Sequence, residues 1–230
     1  MAVNGRVVNA LGSKVDPTTV RIAVEGRELD LSPPKVYIML NKPMGYTSTR
    51  CDPHARRTVL QLLKGLDVYL YHAGRLDVDS EGLLILTNDG DFAHKLTHPA
   101  HGVTKTYIAT VLKDISEEDI ECLSQGIELE DGITAPAEAK LLEVRPPTHD
   151  DIRNIKRTRL VVPELMSVVE LRIHEGRKRQ VRRMFAALGH PVIHLARTTV
   201  GPLKLGTLQL GKWRRLSEKE VSALMAEAGK

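Results

Sequence analysis

Hydrophobic and polar positions in this chain repeat mostly with the period of strands, and the helical period interrupts them only briefly. "KTYIATV" (105–111) alternates polar and apolar, as a half-buried strand does. "KVYIMLNKP" (35–43) and "GLLILTNDG" (82–90) are continuous apolar runs stopped by Pro43 and by Asn-Asp-Gly, which predicts two buried strands. "SVVELRIHEG" (167–176) predicts another. In "RKRQVRRMFAALGH" the period shifts to about 3.6, so Val181, Met184, Phe185 and Leu188 share one helical face and Gly189 stands as its stop. Short helices are expected at 58–66, 91–99, 117–125 and 218–227. Ser116 with Asp119, and Ser217 with Glu220, have the spacing of capping boxes. The polar, Pro-containing stretch within 143–164, "RPPTHDDIRNIKRTR", predicts an exposed loop. Residues 2–31 read as short strands broken by turns, with Asn4-Gly5 marking a hairpin, and Ser32-Pro33-Pro34 reads as a linker. Many strands with few short helices predict an α+β fold on a mostly antiparallel sheet.

Composition narrows the function classes. Of 230 residues, 42% are hydrophobic, enough for a packed core rather than a disordered chain. The net charge of +4 is compatible with a polyanionic partner. The two cysteines, Cys51 and Cys122, are far apart and form no CxxC pair, which argues against a disulfide framework or a cysteine-rich zinc site. Neither GxxxxGK[ST] nor GxGxxG occurs, so a nucleotide cofactor loses most of its support. No apolar run approaches the roughly 18 residues of a membrane span. A soluble cytoplasmic protein is expected.

The densest candidate chemistry is "AGRLDVDSEG" (73–82), placed directly before the apolar "LLILT". A calcium loop would use Asp77, Asp79, Glu81 and Gly82 at its positions 1, 3, 5 and 6, but its position 12 is Asn88, which offers no bidentate carboxylate. "DVDS" is similar to the DxD nucleophile of haloacid-dehalogenase-type phosphatases, yet there the apolar strand precedes the acids, and here it follows them. Asp79 and Glu81 are expected to shape a solvated turn. A second cluster, Arg177, Lys178, Arg179, Arg182 and Arg183, crowds the start of the expected helix, where cations are unfavourable. It calls for a compensating anion, either an RNA backbone or a buried carboxylate. His94, His98 and His101 have near-helical spacing but no acid or cysteine beside them, and are expected to be surface or turn residues rather than a zinc site.

"GRLDVDSEGLLILTNDG" (74–90), "KTYIATV" (105–111) and "EGRKRQVRRMFAALGHPV" (175–192) occur in an order that resembles the rRNA pseudouridine synthases of the RsuA/RluB group. "YIMLNKPMGYTST" (37–49) and "VGPLKLGTLQLGKWRRLSEKEV" (200–221) extend the resemblance over residues 35–225. It implies a pseudouridine synthase fold with a central catalytic cleft over 32–230, and isomerisation of a specific uridine without cofactor or metal. By the same resemblance Asp77 is the catalytic aspartate, Arg182 its basic partner, and Tyr107 the active-site tyrosine that stacks on the base or moves a proton. Arg177 and Arg179 are the alternative partners. Arg75, Lys42, Lys105, Arg177, Arg179 and Arg183 are the expected RNA contacts. The aspartate must be ionised and shielded from bulk water, whether it attacks C1′ or assists loss of the uracil. The target uridine must be flipped out of its stack. Residues 1–31 resemble the second half of an S4 RNA-binding domain, without the helical pair of its first half. The implied partner is ribosomal RNA or a ribosomal-subunit precursor, large-subunit RNA being favoured over small-subunit RNA, and the implied state is a monomer. A non-catalytic RNA-binding or ribosome-assembly protein is the rival reading, disfavoured because a pure binder needs no Asp77–Tyr107–Arg182 trio.

Overall fold

A computed structural model describes residues 1–16, 19–29, 34–49, 57–66, 68–158 and 160–229, arranged as two units, Met1–Lys35 and Val36–Lys230. The expected boundary at 31/32, most of the 32–34 linker, and Cys51 lie outside the described residues.

The small unit is a four-stranded sheet of β1 (Ala2–Val3), β2 (Arg6–Val7), β3 (Ile22–Val24) and β4 (Arg27–Glu28), in the order β2-β1-β3-β4. Its two hairpins turn on adjacent residues with positive φ, Asn4-Gly5 (46° and 78°) and Glu25-Gly26 (51° and 79°). Two such residues make the turn whose twist matches paired strands.

The large unit is built on a nine-stranded sheet. Its elements begin with β5 (Tyr37–Lys42), β6 (Tyr71–Ala73), β7 (Glu81–Thr87), α1 (Gly90–Thr97), β8 (Lys105–Leu112) and α2 (Glu117–Gln125). A separate two-stranded hairpin, β9 (Glu128–Leu129) and β10 (Gly132–Ile133), follows. The chain continues through β11 (Glu138–Arg145), α3 (His149–Thr158), β12 (Met166–Ile173), α4 (Gln180–Ala187), β13 (Val192–Val200), β14 (Leu203–Lys204), β15 (Trp213–Arg215) and α5 (Glu218–Glu227). The main path is β11-β12-β8-β13-β7-β5-β15, with β6 beside β7 and β14 beside β13. Every pairing is antiparallel except β13 with β7.

The apolar runs at 37–42 and 82–87 are continuous because both faces of these strands are covered. Met39, Leu83 and Ile85 pack with α1 and α5, while Ile38, Leu40, Leu84 and Leu86 pack on the other side with Val59 and Leu63. Farther along the sheet, Val181, Met184 and Phe185 of α4 join Leu123 of α2 over β8, β12 and β13, as the 3.6-residue period predicts.

Only two register pairs, Ala196 with Glu81 and Arg197 with Gly82, join β13 to β7. Gly82 makes this approach possible, because a Cβ there would lie 2.2 Å from the Arg197 carbonyl oxygen, and its φ is +104°. The acidic turn opens into this seam from one side. Tyr107 faces Arg197 across β8 and β13 on the other.

Two expectations at element level need correction. The helix at 58–66 is a single 3₁₀ turn, Val59–Leu62. The loop within 143–164 instead contains α3. Thr148 donates its N–H (2.9 Å) and Oγ1 (2.6 Å) to Asp151 Oδ2 and accepts from Asp151 N (3.2 Å), a reciprocal cap. Ile155 is fully buried with Leu112, Met166 and Ile193. One buried isoleucine in a charged stretch leaves almost no periodic signal.

Helix α5 has the expected capping box, and Arg214 reinforces it with two bonds to Glu220, at 2.6 and 2.8 Å. The Arg214 hydrogen bonds, with those of Ser217, hold the Glu220 carboxyl down at about 2. A depressed acid contributes stability above its unfolded value of 4.5 and loses it as pH falls through about 2. Glu220→Gln is therefore expected to be less stable than the parent at neutral pH. Urea denaturation at a series of pH values should show that gap closing between 4.5 and about 2.

Candidate active site

The segment from Arg75 to Ser80 is held by its backbone. Ser48 Oγ donates to Leu76 O (2.8 Å) and accepts from Leu76 N (3.1 Å). Lys42 ends β5 fully buried, and its Nζ donates to Asp77 O (2.9 Å), Ser80 O (2.6 Å) and Pro43 O (3.2 Å). Three N–H donors thus meet three carbonyls inside the turn. Burial pushes Lys42 down to about 8, so it is still protonated at neutral pH. Lys42 was expected to touch RNA. With its ammonium inside the protein it is a structural hub of the turn, and that expectation is corrected. Arg197, only 4% exposed, donates Nε to Leu83 O (2.8 Å) and Nη1 to Arg75 O (3.3 Å). Neither Ser48 nor Arg197 stood out in the sequence. Their signal is tertiary, because each reaches carbonyls of a remote segment.

The basic cluster resolves residue by residue. Arg179 takes a left-handed backbone (φ 51°) just before α4, uncommon for a residue with a side chain. It makes a two-pronged bond to Asp79 (2.9 and 2.8 Å), and its Nη1 lies 3.9 Å from Asp77 Oδ2. Arg182 donates Nη2 to Asp79 O (2.6 Å) and Nη1 to Val192 O (2.9 Å), with Nε 3.3 Å from Asp79 Oδ2. Among the described residues the cation in ion-pair range of Asp77 is therefore Arg179, the alternative partner, and Arg182 bonds to Asp79. Asp79 is correspondingly more than a turn-former. Burial opposes its ionisation, but the Arg179 hydrogen bonds and the charges of Arg182 and Arg179 outweigh this and hold its carboxyl below the ordinary value. Burial draws Arg182 below its usual value, with Asp79 and Asp77 opposing.

Arg177 donates to the carbonyls of Asp131 (3.2 Å), Gly132 (2.8 Å) and Ile133 (2.6 Å), and Arg183 grips the Asp131 carboxylate at 2.8 and 3.0 Å. Both were expected to contact RNA. Their guanidinium groups instead fasten the β9–β10 hairpin to the start of α4, so protein carboxylates and carbonyls supply much of the compensation this cluster needs.

Asp77, Tyr107, Arg75, Lys105 and Arg179 line one cleft of about 430 Å³ at the seam of the sheet, and Arg197 lines it as well. Arg182 is absent from this lining. Tyr107 is half-buried, and Arg75 is exposed. Glu81, on the far side of the turn, pairs with His194 at 2.9 Å. His94 and His98 are exposed, and among the described residues no group of three or more His, Cys, Asp or Glu is placed to hold a metal.

Asp79 ties Arg179, which lines the cleft, to Arg182, which does not. Asp79→Asn is expected to slow single turnover by about ten- to a hundred-fold through misplacement of Arg179, with RNA affinity less affected. Rate and binding measured separately on one RNA substrate check this, and an equal loss in both would contradict it.

An aspartate on a turn and a tyrosine on a strand thus share one cleft at the seam of a mixed sheet. The chain belongs to the RNA pseudouridylate synthase family, which matches residues 36–187. It is 43% identical over 226 residues to ribosomal large subunit pseudouridine synthase B of Bacillus subtilis (strain 168), covering 98% of this chain and 85% of that protein. It is 42% identical over 182 residues to ribosomal large subunit pseudouridine synthase E of Xanthomonas campestris pv. campestris, covering 77% of this chain and 93% of that protein. A crystal structure of a pseudouridylate synthase superposes with a TM-score of 0.67 at 33% identity, over 97% of this chain and 87% of the other. The pseudouridine synthase fold and the isomerase class expected from the sequence both hold. No helix among the described residues is long and apolar enough to cross a membrane.

Proposed function

We propose that this protein converts one uridine of large-subunit ribosomal RNA to pseudouridine, with Asp77 as the catalytic carboxylate acting on a flipped-out nucleotide. The observation that carries the reading is the Asp77 carboxylate in a cleft it shares with Tyr107, on a backbone pinned by Lys42, Ser48 and Arg197, with Arg179 3.9 Å away. The reaction breaks N1–C1′ and forms C5–C1′ within the same nucleotide, so it is redox-neutral and needs no external group. Asp77 serves either as nucleophile at C1′ or as the charge that assists departure of the uracil. Arg179 lies within ion-pair range of that carboxylate, and Tyr107 lies against the base or takes the proton that must leave. Arg182 acts through Asp79.

The lining favours a polyanion. It presents six cations, Arg75, Lys105, Arg177, Lys178, Arg179 and Arg197, against two carboxylates, Asp77 and Glu175. The two relatives named for the large ribosomal subunit support that RNA as substrate. In this reading the enzyme is a cytoplasmic monomer, and its N-terminal strands are part of an S4-like RNA-binding module.

The test is to map pseudouridines in ribosomal RNA from cells lacking the gene, then restore the parent protein or Asp77→Asn. A large-subunit uridine should lose its modification and regain it only with the parent. Loss in small-subunit RNA would move the substrate, and no loss anywhere would end the assignment.

A further inference from the structure

The cations of the cleft are not equally compensated. Asp77 is taken by Arg179, and Glu175 accepts from Ala135 N (3.0 Å), from Arg177 Nε (3.3 Å) and from Gln180. Among the described residues Arg75, Lys178, Lys105 and Arg197 pair with no carboxylate; Arg75 and Lys178 are exposed to water, whereas Lys105 and Arg197 are not. Arg197 is 4% exposed and spends Nε and Nη1 on carbonyls, and its remaining Nη makes no hydrogen bond among the described residues. Lys105, half-buried at the start of β8, has neither a hydrogen bond nor an ion pair there. Burial and, to a smaller extent, the neighbouring charge of Arg197 together lower it to about 8. Lys105 and Arg197 belong to adjacent strands, with Val200 opposite Lys105 and Arg197 opposite Tyr107. A protein rarely keeps a buried cation next to a half-buried one with no counter-charge. A bound anion supplies what is missing, and the register places it beside Tyr107, with Arg197 also holding the backbone two residues before Asp77.

We propose that Lys105 and Arg197 form a phosphate subsite that takes a phosphodiester of the nucleotide being isomerised, so that the charge on the RNA strand docks its ribose against Asp77. This rests on the RNA pseudouridine synthase reading. It assigns Arg197 a ligand role that was not visible in the sequence, and it narrows the expected RNA contact of Lys105 to one phosphate. A phosphate suits the pair better than a uracil carbonyl, because a neutral acceptor leaves both cations uncompensated.

The test uses uridine 3′,5′-bisphosphate, uridine and inorganic phosphate as probes, titrated into the full chain with amide NMR as readout. The bisphosphate is expected to bind at least about ten-fold more tightly than uridine, a difference of about 1.4 kcal/mol. Its shifts should centre on residues 105–107 and 196–198. Lys105→Met should erase the preference, and Lys105→Arg should keep it, both with parental melting temperatures. The subsite is overturned if the two nucleosides bind alike, if neither binds, or if Lys105→Met retains the preference. It is also overturned if inorganic phosphate displaces the bisphosphate at equal concentration, which marks a general anion site. Because the readout is binding, it separates from the parent reading. A bisphosphate preference with no uridine modified in cells sinks the proposed reaction alone, and a modified uridine with no preference sinks the subsite alone.

Discussion

Asp77→Asn is expected to yield a folded protein that still binds RNA and forms pseudouridine at least about a thousand-fold more slowly than the parent. The substitution keeps the shape of the side chain and removes its charge. Among the described residues the hydrogen bonds that hold the turn do not use that carboxylate, because Lys42 and Ser80 bond to the backbone of residue 77 and Ser48 to that of Leu76. The ion pair lost, 3.9 Å long and between partly exposed groups, contributes about 1 kcal/mol or less to stability. Arg179 stays anchored by its two bonds to Asp79. Chemistry should therefore fail while the fold and the RNA surface persist. Single-turnover pseudouridine formation, RNA binding and urea denaturation on the same preparation separate these effects. Turnover within ten-fold of the parent would remove Asp77 from the mechanism.

Lys42→Met has the largest expected effect on the fold, a loss of about 3 kcal/mol or more. Methionine approximates the lysine stem and brings no charge, so the change isolates the ammonium. Without it the carbonyls of Pro43, Asp77 and Ser80 face a site that water scarcely reaches, each losing its Lys42 donor. Removing one side of a buried hydrogen bond costs more than the bond itself contributes, because the partner stays desolvated. The same three bonds set the direction of the Asp77 turn, so the surviving folded fraction should also turn over slowly. Urea denaturation at neutral pH measures the first effect, and single turnover well below the melting temperature measures the second. A variant within 1 kcal/mol of the parent would show that the ammonium is not the hub described.

These two residues also mark what could be read before folding. Asp77 became a candidate through the resemblance carried by its ordered motifs, an acidic turn directly before an apolar strand with a tyrosine strand and a basic helix after it, and the structure places it in one cleft with Tyr107. Lys42 was misread as an RNA contact, because a lysine before a proline looks like a surface residue until the carbonyls that bury it are known. Two of the three come from residues 35 and 38 positions away. Arg182 shows the same limit in milder form. Its helix and face were predictable, but whether it or Arg179 lies nearer Asp77 depends on a left-handed residue at the start of α4 and on Asp79 reaching across from the turn. Helix α3 escaped detection because its cap is a Thr-Asp pair within a polar stretch and its anchor is the single Ile155.

By itself the sequence determined the strands, most helices, the caps and the residue types of the site, because periodicity and short-range hydrogen bonding are properties of neighbours in the chain. Only the tertiary structure decided which charges meet. The partners of Lys42, Arg177, Arg183 and Arg197 are brought within hydrogen-bond reach by strand order, by the two-residue seam at Gly82 and by the burial they create. Electrostatic roles depend on distance and on exclusion of water, and neither exists until the chain has folded.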